Sequence, residues 1–68
     1  MDKIIAVHSL TNTMAVYLLE GTNEDQVMYQ FSNEQHIRRA PLNVGPDGDY
    51  YFNHGEESYS LNSFTRVD

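Results

Sequence analysis

The sequence predicts a small α+β or mostly β fold, an antiparallel sheet or barrel of five to six short strands with one short helix after the third strand. Two observations support this prediction. Several short segments carry apolar residues at every second position, as strands with one buried face do. Clusters of glycine, proline, asparagine and aspartate separate these segments and favour turns. The chain has 68 residues, so we predict one small domain spanning residues 1–68.

The first two strands are predicted to form a tight antiparallel pair. Lys3–Ser9 is the first strand, and the turn-forming dipeptide Thr11-Asn12 connects it to the second. Met14–Leu19 is apolar on both alternating sets of residues. That pattern is typical of a central strand that is covered on both faces.

The second and third strands are predicted to form a hairpin within Thr13–Phe31. Val27, Tyr29 and Phe31 alternate with Met28 and Gln30, which indicates a strand with one buried face. The polar run Gly21–Asp25 separates this strand from the second and favours a turn in water.

A short helix is predicted directly after the third strand. Ser32 and Gln35 have the spacing of a capping box, with Ser32 as the N-cap. Pro41 disfavours helical backbone at Ala40, and the cations Arg38 and Arg39 would suit the C-terminal end of the helix dipole. The helix should therefore have two turns at most.

The C-terminal part is predicted to consist of short strands joined by turns. Pro46-Asp47-Gly48 is a strong turn signal, and Leu42–Val44 before it is either a strand or a loop. Tyr50–Asn53 and Ser58–Leu61 are the next predicted strands, with a turn between them at Asn53–Glu56. Phe64 and Val67 are expected to hold the C-terminal tail against the domain.

The predicted core consists of apolar and aromatic residues at the positions of these elements that we expect to be buried. It comprises Ile4, Ala6, Val16, Leu18, Val27, Tyr29, Phe31, Ile37, Phe52, Tyr59 and Leu61. One short helix cannot cover both faces of the apolar first two strands. Either the sheet closes into a barrel, or a second copy of the chain covers the exposed face as a homodimer.

Composition limits the classes of partner. Four Lys and Arg residues against ten Asp and Glu give a net charge of −6, which disfavours binding to the phosphates of nucleic acid or to anionic membranes. It favours a basic partner or mimicry of a polyanion. Without cysteine, disulfides and thiolate zinc sites are excluded.

The location of the protein is predicted to be cytoplasmic. No signal peptide and no segment long enough to span a bilayer is visible in the sequence. The start at Met1 favours a complete small intracellular protein, with an excised domain as the alternative.

No catalytic, metal or cofactor motif is present, so we predict a non-enzymatic protein without a cofactor. His8, His36 and His54 lack the close spacing of metal ligands. We expect His36 and His54 to be exposed and His8 to lie at the edge of the core or in an interface. Asp47-Gly48-Asp49 resembles the start of a calcium loop, but Phe52 stands where that loop needs glycine.

Strand direction predicts an acidic end of the molecule. In an antiparallel meander, Glu20, Glu24, Asp25 and Asp2 share one end with Lys3, whereas Arg38 and Arg39 lie at the other. If Leu42–Val44 is a strand, Asp47 and Asp49 join the acidic end and Glu56-Glu57 lie opposite; if it is a loop, these assignments are exchanged. Surface charge that serves only solubility is the simpler interpretation.

The predicted function is binding to another protein. The binding residues would be the acidic loop residues together with exposed tyrosines: Glu20, Glu24, Asp25, Tyr50 and Tyr51. The partner would be a basic protein, such as a nucleic-acid-binding protein, and size and charge resemble those of phage or mobile-element accessory proteins or inhibitors. Two alternatives remain: a small barrel that binds single-stranded nucleic acid through its tyrosines, and a structural homodimer.

Overall fold

The protein folds into two antiparallel sheets that pack face to face. A computed structural model describes residues 3–67. Eight short strands account for about half of these residues, which confirms the mostly β prediction but exceeds the five to six strands that were predicted. In chain order the strands β1 to β8 are Ile4–Ser9, Ala15–Leu19, Gln26–Phe31, Arg38–Pro41, Asn43–Val44, Tyr50–His54, Glu57–Ser60 and Thr65–Arg66.

The first sheet contains five strands in the order β4-β3-β2-β1-β8. Strands β1 to β4 form a meander in which each strand pairs with the next. An irregularity between Ile4 and Ala6 shifts the register of β1 against β2. The last strand, β8, returns to pair with β1, with Thr65 opposite Val7 and Arg66 opposite Ala6.

The second sheet contains three strands in the order β5-β6-β7. Only Leu42 separates β4 in the first sheet from β5 in the second, so the chain crosses between the sheets at this residue. The N–H of Leu42 donates to the carbonyl oxygen of Asp25, at 3.2 Å. The crossing point is therefore anchored beside the start of β3.

The prediction of a helix after the third strand was wrong. Residues 32–37 form turns, Arg38–Pro41 forms strand β4, and residues 3–67 contain no α-helix. Ser32 does not cap a helix: its hydroxyl accepts from the N–H of Ala15, and its own N–H donates to the carbonyl of Ala15, both at 2.9 Å. Pairing with β3 buries Ala40. A two-turn helix would have Ile37 as its one large apolar residue and would bury less apolar surface.

Most of the predicted core is found between the two sheets. The buried cluster comprises Ala6, Val16, Leu18, Val27, Tyr29, Phe31, Ala40 and Phe52. Tyr59 and Leu61 are half-buried and pack against it. Ile4 and Ile37 were predicted to be in the core but are 37% and 38% exposed, because Ile4 lies at the register irregularity and Ile37 precedes β4 in the turns.

Leu19 is buried apart from this cluster. Along β2 it alternates with the core residues Val16 and Leu18, so it belongs to the other face of the sheet, and yet it is only 1% exposed. On that face Ala15 and Tyr17 are half-buried. We predicted that this strand is covered on both faces. The face that carries Val16 and Leu18 is fully covered, whereas on the other face only Leu19 is buried.

The C-terminal segment supplies the edge strand β8 of the first sheet. Strand β7 ends at Ser60, and Leu61–Ser63 forms a single 3₁₀ turn whose Asn62 N–H donates to the Ser60 hydroxyl. Phe64 packs against the core, and the N–H of Val67 donates to the carbonyl of Ile5. Phe64 thus holds the tail by its side chain, whereas Val67 does so by its backbone and leaves its side chain exposed.

The turn between β6 and β7 consists of two residues, Gly55 and Glu56. Gly55 has a φ of +62°, and among residues 3–67 only glycines have positive φ. A glycine with positive φ followed by a residue with negative φ is the type II′ arrangement, which matches the twist of a hairpin. Glycine is required at this first position.

Candidate protein-binding surface

The loop between β2 and β3 presents the predicted acidic residues to solvent. Glu20, Glu24 and Asp25 are all exposed. The side-chain oxygen Oδ1 of Asn23 accepts from the N–H of Asp25 at 2.8 Å and from the N–H of Gln26 at 3.1 Å. This local turn fixes the backbone beneath the carboxylates.

The turn between β5 and β6 lies at the same end of the molecule. Strand β4 runs antiparallel to β3, with Pro41 opposite Gln26, and Leu42 bonds to Asp25. The chain therefore reaches this turn shortly after it passes the acidic loop. Within the turn, Oδ1 of Asp47 accepts from the N–H of Asp49 at 3.1 Å, and both residues are exposed.

We call this region the acidic end, and it consists of Glu20, Glu24, Asp25, Asp47 and Asp49. Because Asn43–Val44 is a strand, the structure has the arrangement in which Asp47 and Asp49 join the loop acids. Lys3 is at this end too, since its carbonyl accepts from the N–H of Glu20 at 2.8 Å. Asp2 lies outside the described residues.

Tyr50 and Tyr51 begin strand β6 at the acidic end. Tyr50 pairs with Val44 and Tyr51 with Asn43. As consecutive strand residues they point to opposite faces: Tyr50 is 46% exposed, and Tyr51 is half-buried. Tyr50 is therefore the more exposed of the two tyrosines at the acidic end.

The carboxylates of the acidic end carry no neutralising partner within residues 3–67. Within residues 3–67 the ion pair is formed at the opposite end, where Nε and Nη2 of Arg38 donate to the two carboxylate oxygens of Glu34 at 2.9 and 2.8 Å. This bond lowers the pKa of Glu34 and raises that of Arg38. Arg39 lines a shallow groove with Asp25, so it lies closer to the acidic end than Arg38 does.

The opposite end contains a side-chain cluster of Tyr29, Phe31 and His54 that our sequence analysis did not predict. His54 was expected to be exposed in a turn, but it ends strand β6, is half-buried and has its Nδ1 2.9 Å from the hydroxyl of buried Tyr29. Its ring also packs on Phe31, with centroids 4.7 Å apart. Tyr29 and Phe31 on β3 could have indicated it, because a buried tyrosine hydroxyl needs a hydrogen-bond partner and both aromatic rings need packing partners.

The other two histidines lie where the sequence predicted. His8 packs against Tyr59 and Phe64, and its Nδ1 is 3.2 Å from the carbonyl oxygen of Ser63. His36 is exposed. In the part of the chain that the structure describes, no three His, Asp or Glu side chains are grouped so that they could hold a metal ion.

Comparisons with known proteins identify no relative. The chain matches no protein-family model, no curated protein and no solved structure. Within residues 3–67, no helix has the length and apolar character needed to cross a membrane.

Proposed function

We propose that the protein acts, without catalysis, by binding another protein through its acidic end. The observation that carries this proposal is that two loops at one end of the sandwich together carry five exposed carboxylates, and that exposed Tyr50 directly follows the second loop. Tyrosine is enriched among the residues that dominate interface energetics, and complementary charge accelerates association.

The partner we propose is a basic protein, such as a nucleic-acid-binding protein whose site the carboxylates would occupy. The net charge of −6 supports attraction to a basic surface. Size and charge also support the role of a phage or mobile-element accessory protein or inhibitor. The absence of cysteine supports action in the cytoplasm, where thiols stay reduced and disulfides are rare.

The first test is capture of partners from native lysate with the tagged protein, with and without nuclease, followed by mass spectrometry. We expect one stoichiometric basic partner that survives nuclease treatment. A set of proteins that disappears with nuclease would instead favour the nucleic-acid alternative. For that alternative, Tyr50→Ala should abolish binding to single-stranded oligonucleotides at low salt, but Asp47 and Asp49 next to Tyr50 oppose the approach of phosphates.

The second test measures the affinity for the captured partner as salt is varied. Glu20→Gln with Glu24→Gln changes the net charge from −6 to −4. This pair should weaken binding about tenfold and flatten the salt dependence. A charge-matched control, Asn12→Lys with Gln35→Lys, also reaches −4 at exposed positions outside the acidic end. Equal losses in both would show that net charge, and not this end, drives binding.

A structural homodimer is the second candidate, because the outer face of the first sheet carries apolar side chains. Val7 pairs directly with Tyr17 on that face, and Met28 lies diagonally beside them; all three are half-buried. Sedimentation equilibrium at micromolar concentration tests this candidate. A mass near 7.8 kDa would exclude it, and twice that mass would support it.

A further inference from the structure

The groove at the end of the molecule opposite the acidic end is lined by aromatic rings. It lies between the two sheets, with Phe31, His54 and Tyr59 among its walls and Leu10 and Met14 as further apolar lining. Its volume is about 290 Å³, at the lower limit of the range of roughly 300 to 1,000 Å³ that is typical of small-molecule sites. The groove is therefore of a size to accept one side chain of a partner.

The rings meet at steep angles. The plane of Phe31 makes an angle of 61° with that of His54 and 68° with that of Tyr59, with centroids 4.7 and 6.5 Å apart. Phe31 itself is only 7% exposed, so the ring surface that the groove offers comes mainly from half-buried His54 and Tyr59. A ring face carries negative potential and attracts a cation, and arginine does this most often.

A carboxylate stands at the rim. Glu34 lines the groove, and each of its oxygens accepts one N–H from Arg38. A carboxylate has about four acceptor positions, so about two stay open for a second guanidinium. Asn33 beside it adds an amide to the rim.

The charge around the groove is negative overall. The hairpin that follows His54 carries exposed Glu56 and Glu57. Burial raises the pKa of Tyr59, and the negative charge of Glu57 raises it further. With Glu34, these carboxylates outnumber the cation Arg38. A cationic side chain with an apolar stem matches both the charge and the lining.

We propose that this groove binds an arginine side chain of the partner protein. The proposal rests on the proposed function, since it supplies a second, specific contact for the basic partner. The planar guanidinium would stack on the ring faces and bond to the open positions of Glu34, and its methylene stem would pack against Leu10 and Met14.

The test is an NMR titration of the whole chain with acetyl-arginine amide, a probe that needs no knowledge of the partner. We expect saturable shifts at Phe31, Asn33, His54 and Tyr59 with a Kd of about 1 mM. Acetyl-citrulline amide has the same shape without the charge and should bind at least about tenfold more weakly. Equal binding of both probes, or shifts confined to the acidic end, would overturn the proposal.

Variants separate the groove from general charge attraction. Glu34→Gln and Glu24→Gln each remove one negative charge, but only the first is in the groove and leaves Arg38 unpaired beside it. Glu34→Gln should weaken the probe at least about fivefold and Glu24→Gln by less than about twofold. If Glu34→Gln fails to fold, exposed Glu57→Gln replaces it, with an expected loss of about threefold. A loss no larger than that of Glu24→Gln would then overturn the proposal.

The outcomes also separate this proposal from the proposed function. Loss of probe binding in Glu34→Gln with unchanged partner capture by the acidic end would overturn the role of the groove in docking and leave the proposed function intact. If the probe binds the groove as expected but no protein partner is captured, the proposed function fails and the arginine site remains.

Discussion

The Tyr29 hydroxyl and the His54 ring form a hydrogen bond that links the two sheets. Tyr29 is in β3 of the first sheet and is 3% exposed, whereas His54 is in β6 of the second. A buried hydroxyl needs a partner, because leaving it without one costs more than the bond contributes. This pair therefore favours one relative position of the sheets over others.

Tyr29→Phe should lower the free energy of unfolding by about 1 kcal/mol, because it leaves the half-buried Nδ1 of His54 without its partner. Urea unfolding followed by circular dichroism measures this loss. Tyr50→Phe is the matched control, since the exposed Tyr50 hydroxyl makes no hydrogen bond within residues 3–67, and it should change stability by less than about 0.5 kcal/mol. Equal effects would contradict the role of the link.

Two tyrosines should make the fold sensitive to alkali. Burial raises the pKa of Tyr29 and of Tyr59 above the ordinary value of 10.0. A raised pKa means that the unfolded chain loses the proton first, so their contribution is complete below about pH 10 and is lost as the pH rises through the folded pKa. In Tyr29→Phe, phenolate absorbance during a pH titration should lose amplitude in the part of the curve above about pH 10. A loss centred at or below about pH 10 would contradict this prediction.

At the residue scale, the sequence predicts burial well where alternation is regular. Val27, Tyr29 and Phe31 follow the period of two and are buried as predicted. Leu19 was left out of the predicted core because alternation assigns it to the outer face of β2, and Ala40 was left out because a small residue in a polar segment carries no apolar signal. The partnership of His54 depends on packing between sheets, which no local pattern contains.

At the element scale, the hairpin of β6 and β7 depends on one glycine. Gly55→Ala places a side chain at a φ of +62°, in a turn that favours glycine, and should cost about 1 to 2 kcal/mol of unfolding free energy. Glu56→Ala at the neighbouring turn position, where φ is not positive, should change stability by less than about 0.5 kcal/mol. Thermal unfolding compares the two, and a similar loss in both would contradict a type II′ turn.

The connection between β3 and β4 is held by Glu34 and Arg38 instead of a helix. The bond from Arg38 lowers the pKa of Glu34 below its ordinary 4.5, so its stabilising effect is complete above about pH 4.5 and is lost as the pH falls through the folded pKa. Glu34→Gln should therefore have a lower Tm than the wild type at pH 7 and the same Tm as the wild type at about pH 2.5. Glu24→Gln should match the wild type at both values; a Tm gap for Glu34→Gln that persists in acid would contradict the prediction.

This connection also shows why the helix prediction failed. Ser32 and Gln35 fit a capping box, and that local signal is real. However, a short helix is marginal without an apolar face to bury. Pairing of β4 along β3 satisfies backbone groups and buries Ala40, and these are tertiary contacts that the capping pattern cannot reveal.

At the scale of the whole molecule, Phe52 lies at the centre of the core. It is 0% exposed and its ring contacts Tyr29, Tyr59 and Phe64 at centroid distances of 4.7, 5.4 and 6.1 Å. Phe52→Ala should cost about 3 to 5 kcal/mol, against a total stability of about 3 to 10 kcal/mol for a domain of this size. A large fraction of the molecules should then be unfolded, with collapsed amide dispersion in NMR spectra. Val44→Ala, at a residue that is 59% exposed, should leave the spectrum dispersed.

The antiparallel meander and the position of the acidic loop could be predicted from the sequence. When consecutive strands pair as hairpins, their order determines which loops lie at the same end. Glu20 and Asp25 could be assigned in this way. The division into two sheets could not, since it depends on the crossing at Leu42 and on the pairing of β8 with β1. Nor could the groove, because Phe31 and Tyr59 come together only when the sheets pack.

The pairing of the last strand with the first also determines when the fold can be completed. Strands β1 to β4 can pair as they leave the ribosome, since each partner is the next strand in the chain. The other edge of β1 pairs with β8, the last of the eight strands, at Ala6 and Val7. A nascent or truncated chain that lacks β8 therefore exposes an unpaired strand edge, a template for association between copies. Synthesis of β8 thus reduces the strand edge that β1 exposes.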